Sequence, residues 1–149
     1  FFFKQKTAYE IPKRDWSSDV CSSDLKDVKQ VIIVRKDIKL RKSELAAQVA
    51  TASMGFLLDN NESERRDEIN VKLSNEEALW INGTFEKAIM GVDSEDALKE
   101  LMLKAELEGI GVYPVHGKDD EIMGSLTCIA LGPDNSDVIN HITRNLRTL

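Results

Sequence analysis

The chain has 149 residues, enough for one ordinary domain, with 20 Lys and Arg against 26 Asp and Glu and a net charge of −6. That acidic total argues against a generic nucleic-acid coat but leaves room for a local basic surface. No apolar run approaches the roughly 20 residues that span a bilayer, and the two cysteines, Cys21 and Cys128, build no disulfide framework and fit a reducing, cytoplasmic compartment.

The first 25 residues are unlike the rest. Phe1 to Leu25 opens on three phenylalanines, has no helical or alternating period, and lacks the apolar core of a signal peptide. Lys4 to Ile11 and Asp15 to Leu25 resemble translated DNA from a sequencing-library adapter, with Pro12-Lys13-Arg14 in the place of its variable index. We therefore expect the domain to be residues 26–149, with 1–25 outside it and without packed structure. Leaving out the four cations and four acids of that segment keeps the charge at −6.

Val31-Ile32-Ile33-Val34 is a short, wholly β-branched run, the pattern of a strand buried on both faces. Arg35, Lys36, Lys39, Arg41 and Lys42 then put five cations into eight positions, against the single acid Asp37. Ser43 is the expected N-cap of a helix over Glu44 to Leu58, with Leu45, Val49, Ala52 and Phe56 as its buried stripe. The small Ala46, Ala47, Ala50 and Ser53 suit close approach to a sheet. A strand that leads through a cation-rich loop into a helix N-terminus is a good place to receive phosphate.

Asp59 to Val71 reads as a loop. Ser74 to Glu77 has capping-box spacing, so a short helix should run to Asn82 and close at Gly83. Phe85 to Val92 reads as a second strand, and Ser94 caps a third helix that ends at Gly109. Gly111 to Val115 and Ser125 to Leu131 read as strands three and four, separated by a charged loop. Gly132-Pro133 turns the chain into a last helix over Asn135 to Asn145. The order β, α, α, β, α, β, β, α implies an α/β fold: a three-layer sandwich, its four-stranded mixed sheet covered by helices on both faces.

From Val28 onward the chain resembles the type-2 peptidyl-tRNA hydrolases. The residues that carry the resemblance are Val31 to Leu40, Ala47-Gln48 with Ala52-Ser53-Met54, Trp80 with Gly83, Phe85 and Lys87, Val92 to Glu95, Thr127 to Pro133, and Ile142-Thr143 to Leu146. The resemblance implies a four-stranded mixed sheet between helices and hydrolysis of the ester that joins a peptide to the 3′ ribose of tRNA. It implies no metal and no organic cofactor. The partner expected is tRNA in its peptidyl form, with no membrane; a homodimer stays open.

The chain departs from the family pattern at several positions. The loop that usually reads Lys/Arg-Gly-Lys is Lys42-Ser43-Glu44, the family histidine of the first helix falls at Thr51, and the family aspartate falls at Val115. Gly117-Lys118 remains, and the polar residue after it falls at Asp119. A carboxylate in place of an ammonium reverses the local field, an interaction of order 4 kcal/mol at about 4 Å near a surface before screening.

The candidate catalytic residues are Lys42, as a substitute cation, Gln48, His116, as a substitute base, and Lys118; Asp119 and Asp120 are weaker substitutes for the carboxylate. Each also has a plainer reading: solvated loop residues for Lys42, His116, Asp119 and Asp120, and a solvent-facing helix residue for Gln48. Arg35, Lys36, Lys39, Arg41 and Lys42 are the candidate tRNA-binding residues, and Arg144 and Arg147 extend that surface. Cys128 should be a small buried hydrophobe. Trp80 and Phe85 should pack on the sheet, with stacking on a terminal base as the alternative. An enzyme with a shifted site competes with a catalytically silent tRNA-binding module, and more distantly with a relative that acts on another small ligand.

Overall fold

The computed structural model describes residues 27–117 and 125–149. The adapter-like segment Phe1 to Leu25 and the loop residues Lys118, Asp119 and Asp120 lie outside them. In chain order the elements are β1 (Val28–Arg35), α1 (Lys42–Asp59), α2 (Asn75–Asn82), β2 (Lys87–Val92), α3 (Glu95–Leu107), β3 (Val112–His116), β4 (Leu126–Asn135), α4 (Ser136–Thr143) and β5 (Arg147–Thr148). They form one mixed sheet in the order β3-β4-β1-β2-β5.

β1 lies at the centre, parallel to β2 and antiparallel to β4. Its β-branched run has 0–1% exposure, and its two sides meet different helices. Val31 and Ile33 pack with Leu98, Leu101 and Ala105 of α3 and with Ile139 and Ile142 of α4. Ile32 and Val34 pack with Ala52 of α1 and with Cys128 and Ala130 of β4. At the entry end, Val28 meets Phe56 of α1 and Trp80 of α2.

The sheet has five strands, not the four expected from the sequence. The fifth is the pair Arg147–Thr148 beside β2, with Met90 opposite Thr148. Two polar residues at an edge are too short to show a period of two.

The caps follow local chemistry. Ser74 and Glu77 make the expected box, Ser74 Oγ accepting from Glu77 N at 3.1 Å and Glu77 Oε1 from Ser74 N at 2.9 Å. Ser94 Oγ accepts from Ala97 N. α1 differs: it starts at Lys42 with Arg41 as N-cap, not at Glu44 with Ser43. Glu44 Oε1 accepts from Arg41 N at 3.0 Å, half of a capping box, because a guanidinium has no acceptor with which to answer. Glu44 therefore holds the first turn, where its charge also suits the helix dipole.

Three further expectations are corrected. Gly132-Pro133 does not end β4: Leu131 pairs with Val31 and Asp134 with Lys29, so β4 carries one extra residue there, a bulge. Gly132 has φ +84° and proline has no N–H to give the ladder, which explains both the bulge and its misreading as a turn. Phe85 precedes β2 and is half exposed instead of packing on the sheet. Ala46, Ala47 and Ala50 face outward, and the close approach to the sheet is made at Gly55, where a Cβ would lie 2.6 Å from Tyr113 Cβ.

One buried polar pair fixes how α1 sits on β1. Gln30 has no exposure; its Nε2 donates to Ser53 O at 2.9 Å, and its Oε1 accepts from Ser53 Oγ at 2.6 Å. Ser53→Ala should strand that acceptor and destabilise the fold by about 1–3 kcal/mol, whereas Gln30→Met with Ser53→Ala together should restore most of the loss. Urea midpoints of the two variants against the parent check this.

Candidate functional site

β1, β2 and β3 all end at one edge of the sheet, where β4 begins, and the cationic loop emerges there. Arg35 closes β1, and its guanidinium is committed to structure. Nε and Nη2 donate to the Asp37 carboxylate at 3.0 and 2.8 Å, and Nη1 donates to Leu126 O at 3.0 Å. Leu126 N in turn donates to Glu95 Oε2 at 2.7 Å. Arg35 and Glu95 thus hold both main-chain polar groups of the first residue of β4. The Arg35 side chain is 14% exposed, so most of it is hidden from a phosphate. Lys36 is exposed, 3.8 Å from Asp93, and shares a shallow cleft of about 390 Å³ with Arg147. Lys39, Arg41 and Lys42 are exposed, and so is Arg144 at the far end of α4.

The two flanks of α1 meet different strands. On one side, Gly55 lies against Tyr113 of β3. Gln48 stands close to two full turns before Gly55 and so shares its flank, the side turned toward β3. Glu44 and Thr51 fall on the same flank. Thr51 Oγ1 is occupied by Ala47 O at 2.9 Å. Gln48 is partly buried, and its Oε1 is enclosed without a hydrogen-bond partner among the described residues. Val115 is partly buried and packs with the α1 cluster, His116 is exposed at the strand end, and Gly117 N donates to Ser125 O at 2.9 Å.

On the other side, Lys42 lines an open groove of about 610 Å³ with Leu45, Lys87, Ile89 and Leu149, between α1, β2 and β5. The helix therefore turns Lys42 and Gln48 to different flanks, Gln48 toward β3 and Lys42 toward β2. Lys118 lies outside the described residues. Among those residues no three His, Cys, Asp or Glu side chains gather as metal ligands would. Cys128 is fully buried and its thiol is pushed up to about 12 by burial, which leaves it inert at neutral pH.

Sequence reasoning missed two features. Glu95 was legible only as a favourable first-turn acid, and its bond to Leu126 crosses 31 residues. The groove needs β5, which carries no pattern of its own.

The family model described as "Peptidyl-tRNA hydrolase PTH2" matches residues 28–149. Relatives named peptidyl-tRNA hydrolase include one from Methanothermobacter thermautotrophicus, 34% identical over 82% of this chain and 100% of its own length. One from Haloquadratum walsbyi is 34% identical over 80% of this chain and 97% of its own, and one from Nanoarchaeum equitans is 36% identical over the same shares.

The backbone bond from Leu126 holds the Glu95 carboxyl below the usual carboxylate range, with Lys99 and Arg35 adding to it. A carboxylate lowered in the folded state stabilises above its unfolded value of about 4.3, and that contribution is lost as pH falls through the lower folded value. Glu95→Gln should therefore be less stable than the parent at pH 7, with the difference shrinking at pH 4 and below, under the unfolded value of about 4.3. Urea midpoints at the two pH values test it.

Proposed function

The chain belongs to the peptidyl-tRNA hydrolase PTH2 family, and on that premise we propose that it hydrolyses the ester between a peptide and the 3′ end of a tRNA. The observation that carries the proposal is the match over residues 28–149, which contains every strand of the sheet. The silent binding module is the weaker reading, because the relatives that align over 97–100% of their own lengths bear the enzyme's name. The same reading takes the fold as a three-layer sandwich of residues 26–149, working in the cytoplasm with the translation apparatus; a homodimer stays open.

In this reaction water adds to the ester carbonyl, the bond to the ribose oxygen breaks, and a proton from the water ends on the released 3′ hydroxyl. We assign the chemistry to the cleft between the Gln48 flank of α1 and the end of β3. The Gln48 amide positions the acyl carbonyl or the water; its partly buried place and unpaired oxygen support that role. His116, exposed where the strand ends, takes the proton from water. Lys118, two residues on in the sequence, supplies positive charge to the developing oxyanion.

Lys39, Arg41 and Lys42 hold the phosphates, joined by Lys36. Lys42 acts from the groove side, and its charge reaches the cleft only through space. Arg35 acts through its hold on Leu126 and contributes to RNA binding mainly as a source of field. Glu44, bonded to Arg41 N, is part of the scaffold.

The test is release of an N-acetylated amino acid from its tRNA. The chain, with or without residues 1–25, should release it well above the uncatalysed rate. Gln48→Ala and His116→Ala should each lower kcat/KM by roughly 10²-fold. Glu44→Lys with Val115→Asp should change an existing rate; if release is seen only in that double variant, the native site is silent and the proposal is wrong.

A further inference from the structure

Across α1 from the Gln48 flank, the Lys42 groove is lined by Lys87, whose ammonium meets an exposed aromatic side chain that the proposed chemistry does not use. Phe85 is 50% exposed and holds φ at +57°, a left-handed backbone that bulky residues rarely adopt. Lys87 Nζ donates to the Phe85 carbonyl at 3.0 Å and sits 3.3 Å from the centre of the Phe85 ring. The Trp80 ring lies 4.4 Å from that of Phe85, centre to centre, and 5.1 Å from the same ammonium. These three distances put Lys87 and Trp80 close to a right angle apart as seen from the ring, so neither covers the face opposite Lys87. Trp80 is itself fixed, buried to 1% and donating to Glu86 O at 2.7 Å. The result is a flat apolar face held at the surface in an unfavourable backbone conformation, with one lysine beneath it and another along an apolar groove.

We propose that Phe85, Lys87 and Lys42 bind an unpaired stretch of RNA, one base stacked on the open face of Phe85 and the backbone phosphates on the two lysines. The inference rests on the reading that the substrate is a tRNA, and it adds a second point of attachment away from the reacting ester. Charge and shape select this occupant. The groove offers cations at its rim and Leu45, Ala88, Ile89 and Leu149 as its floor, which suits a polyanion that carries flat apolar rings. Lys39 and Arg41 continue the positive line to the N-terminus of α1. Every base has a π-face, so the site requires an unpaired strand and not a particular sequence. Burial lowers the Lys87 pKa, which fits an ammonium that a phosphate would stabilise.

The test measures binding of a labelled, unpaired hexaribonucleotide by fluorescence anisotropy, apart from any hydrolysis. Phe85→Ala should weaken it roughly tenfold, and Phe85→Tyr, which keeps the ring, should bind like the parent. Lys87→Met, which keeps the stem over the ring, should reduce the slope of log K against log salt by roughly 0.7. Equal binding by the parent, Phe85→Ala and Lys87→Met would overturn the site, as would an oligoglutamate peptide bound as tightly as the RNA. The two proposals fail separately. Ester release with a KM unmoved by Phe85→Ala and Lys87→Met removes this site and leaves the enzyme; ring-dependent RNA binding without ester release removes the enzyme and leaves this site.

Discussion

A central strand that is dry on both faces dictates the plan of this protein. Val31 to Val34 have no water to meet on either side, so β1 needs a neighbour at each edge and helices above and below. Its backbone can leave the core only at its ends. At the exit the chain changes within one residue from Val34, 1% exposed, to Arg35, whose charge is kept but turned back into structure. By bonding Leu126 O, Arg35 ties the exit of β1 to the entry of β4, and Glu95 ties the same residue to the first turn of α3. Three elements are thus fixed at the edge of the sheet that carries the cationic loop and His116.

α1 divides the surface beyond that edge. It has no charged residue from Leu45 to Leu58, so it can lie flat on the sheet, and its two flanks do different things. The flank of Glu44, Gln48 and Thr51 turns to β3. The flank of Lys42 and Ala46 turns to β2 and the short β5. Glu44 shows how a departure from the family pattern can be absorbed: where the family places a lysine, this chain has an acid that caps its own helix, at a helix end that favours negative charge. The change puts an acid on that flank and bonds it to the backbone N–H of Arg41.

Much of this was legible in the sequence wherever the physics is local. The β-branched run, the Ser74 and Ser94 caps, the Leu45-Val49-Ala52-Phe56 stripe and the buried Cys128 each depend on residues a few positions apart. The failures depend on distant ones. Arg35 looks like one more cation of a basic loop until the carbonyl of Leu126, 91 residues on, accepts its hydrogen bond. Gly132-Pro133 spells a turn, but the pairing of β4 with β1 carries the strand through it as a bulge. Phe85 was expected to pack on the sheet, with base stacking as the alternative, yet it lies half exposed before β2, at positive φ and with the Lys87 ammonium against its ring. Arg147-Thr148 is a strand only because Met90 and Gly91 offer it an edge. For the site, the sequence supplied the residue types and their order, but the split of Lys42 from Gln48 appears only when the helix is laid on the sheet.

The central claim is that the acyl end of the substrate enters between the Gln48 flank of α1 and the end of β3. It is tested most directly by nuclear magnetic resonance, with a tRNA 3′-end analogue in which a stable amide replaces the reactive ester. The account predicts that the Gln48 side-chain amide and the His116 ring shift on titration, together with the Val115 and Gly117 backbone signals. Shifts at Lys42, Lys87 and Phe85 alone, with Gln48 and His116 unmoved at saturation, would contradict it.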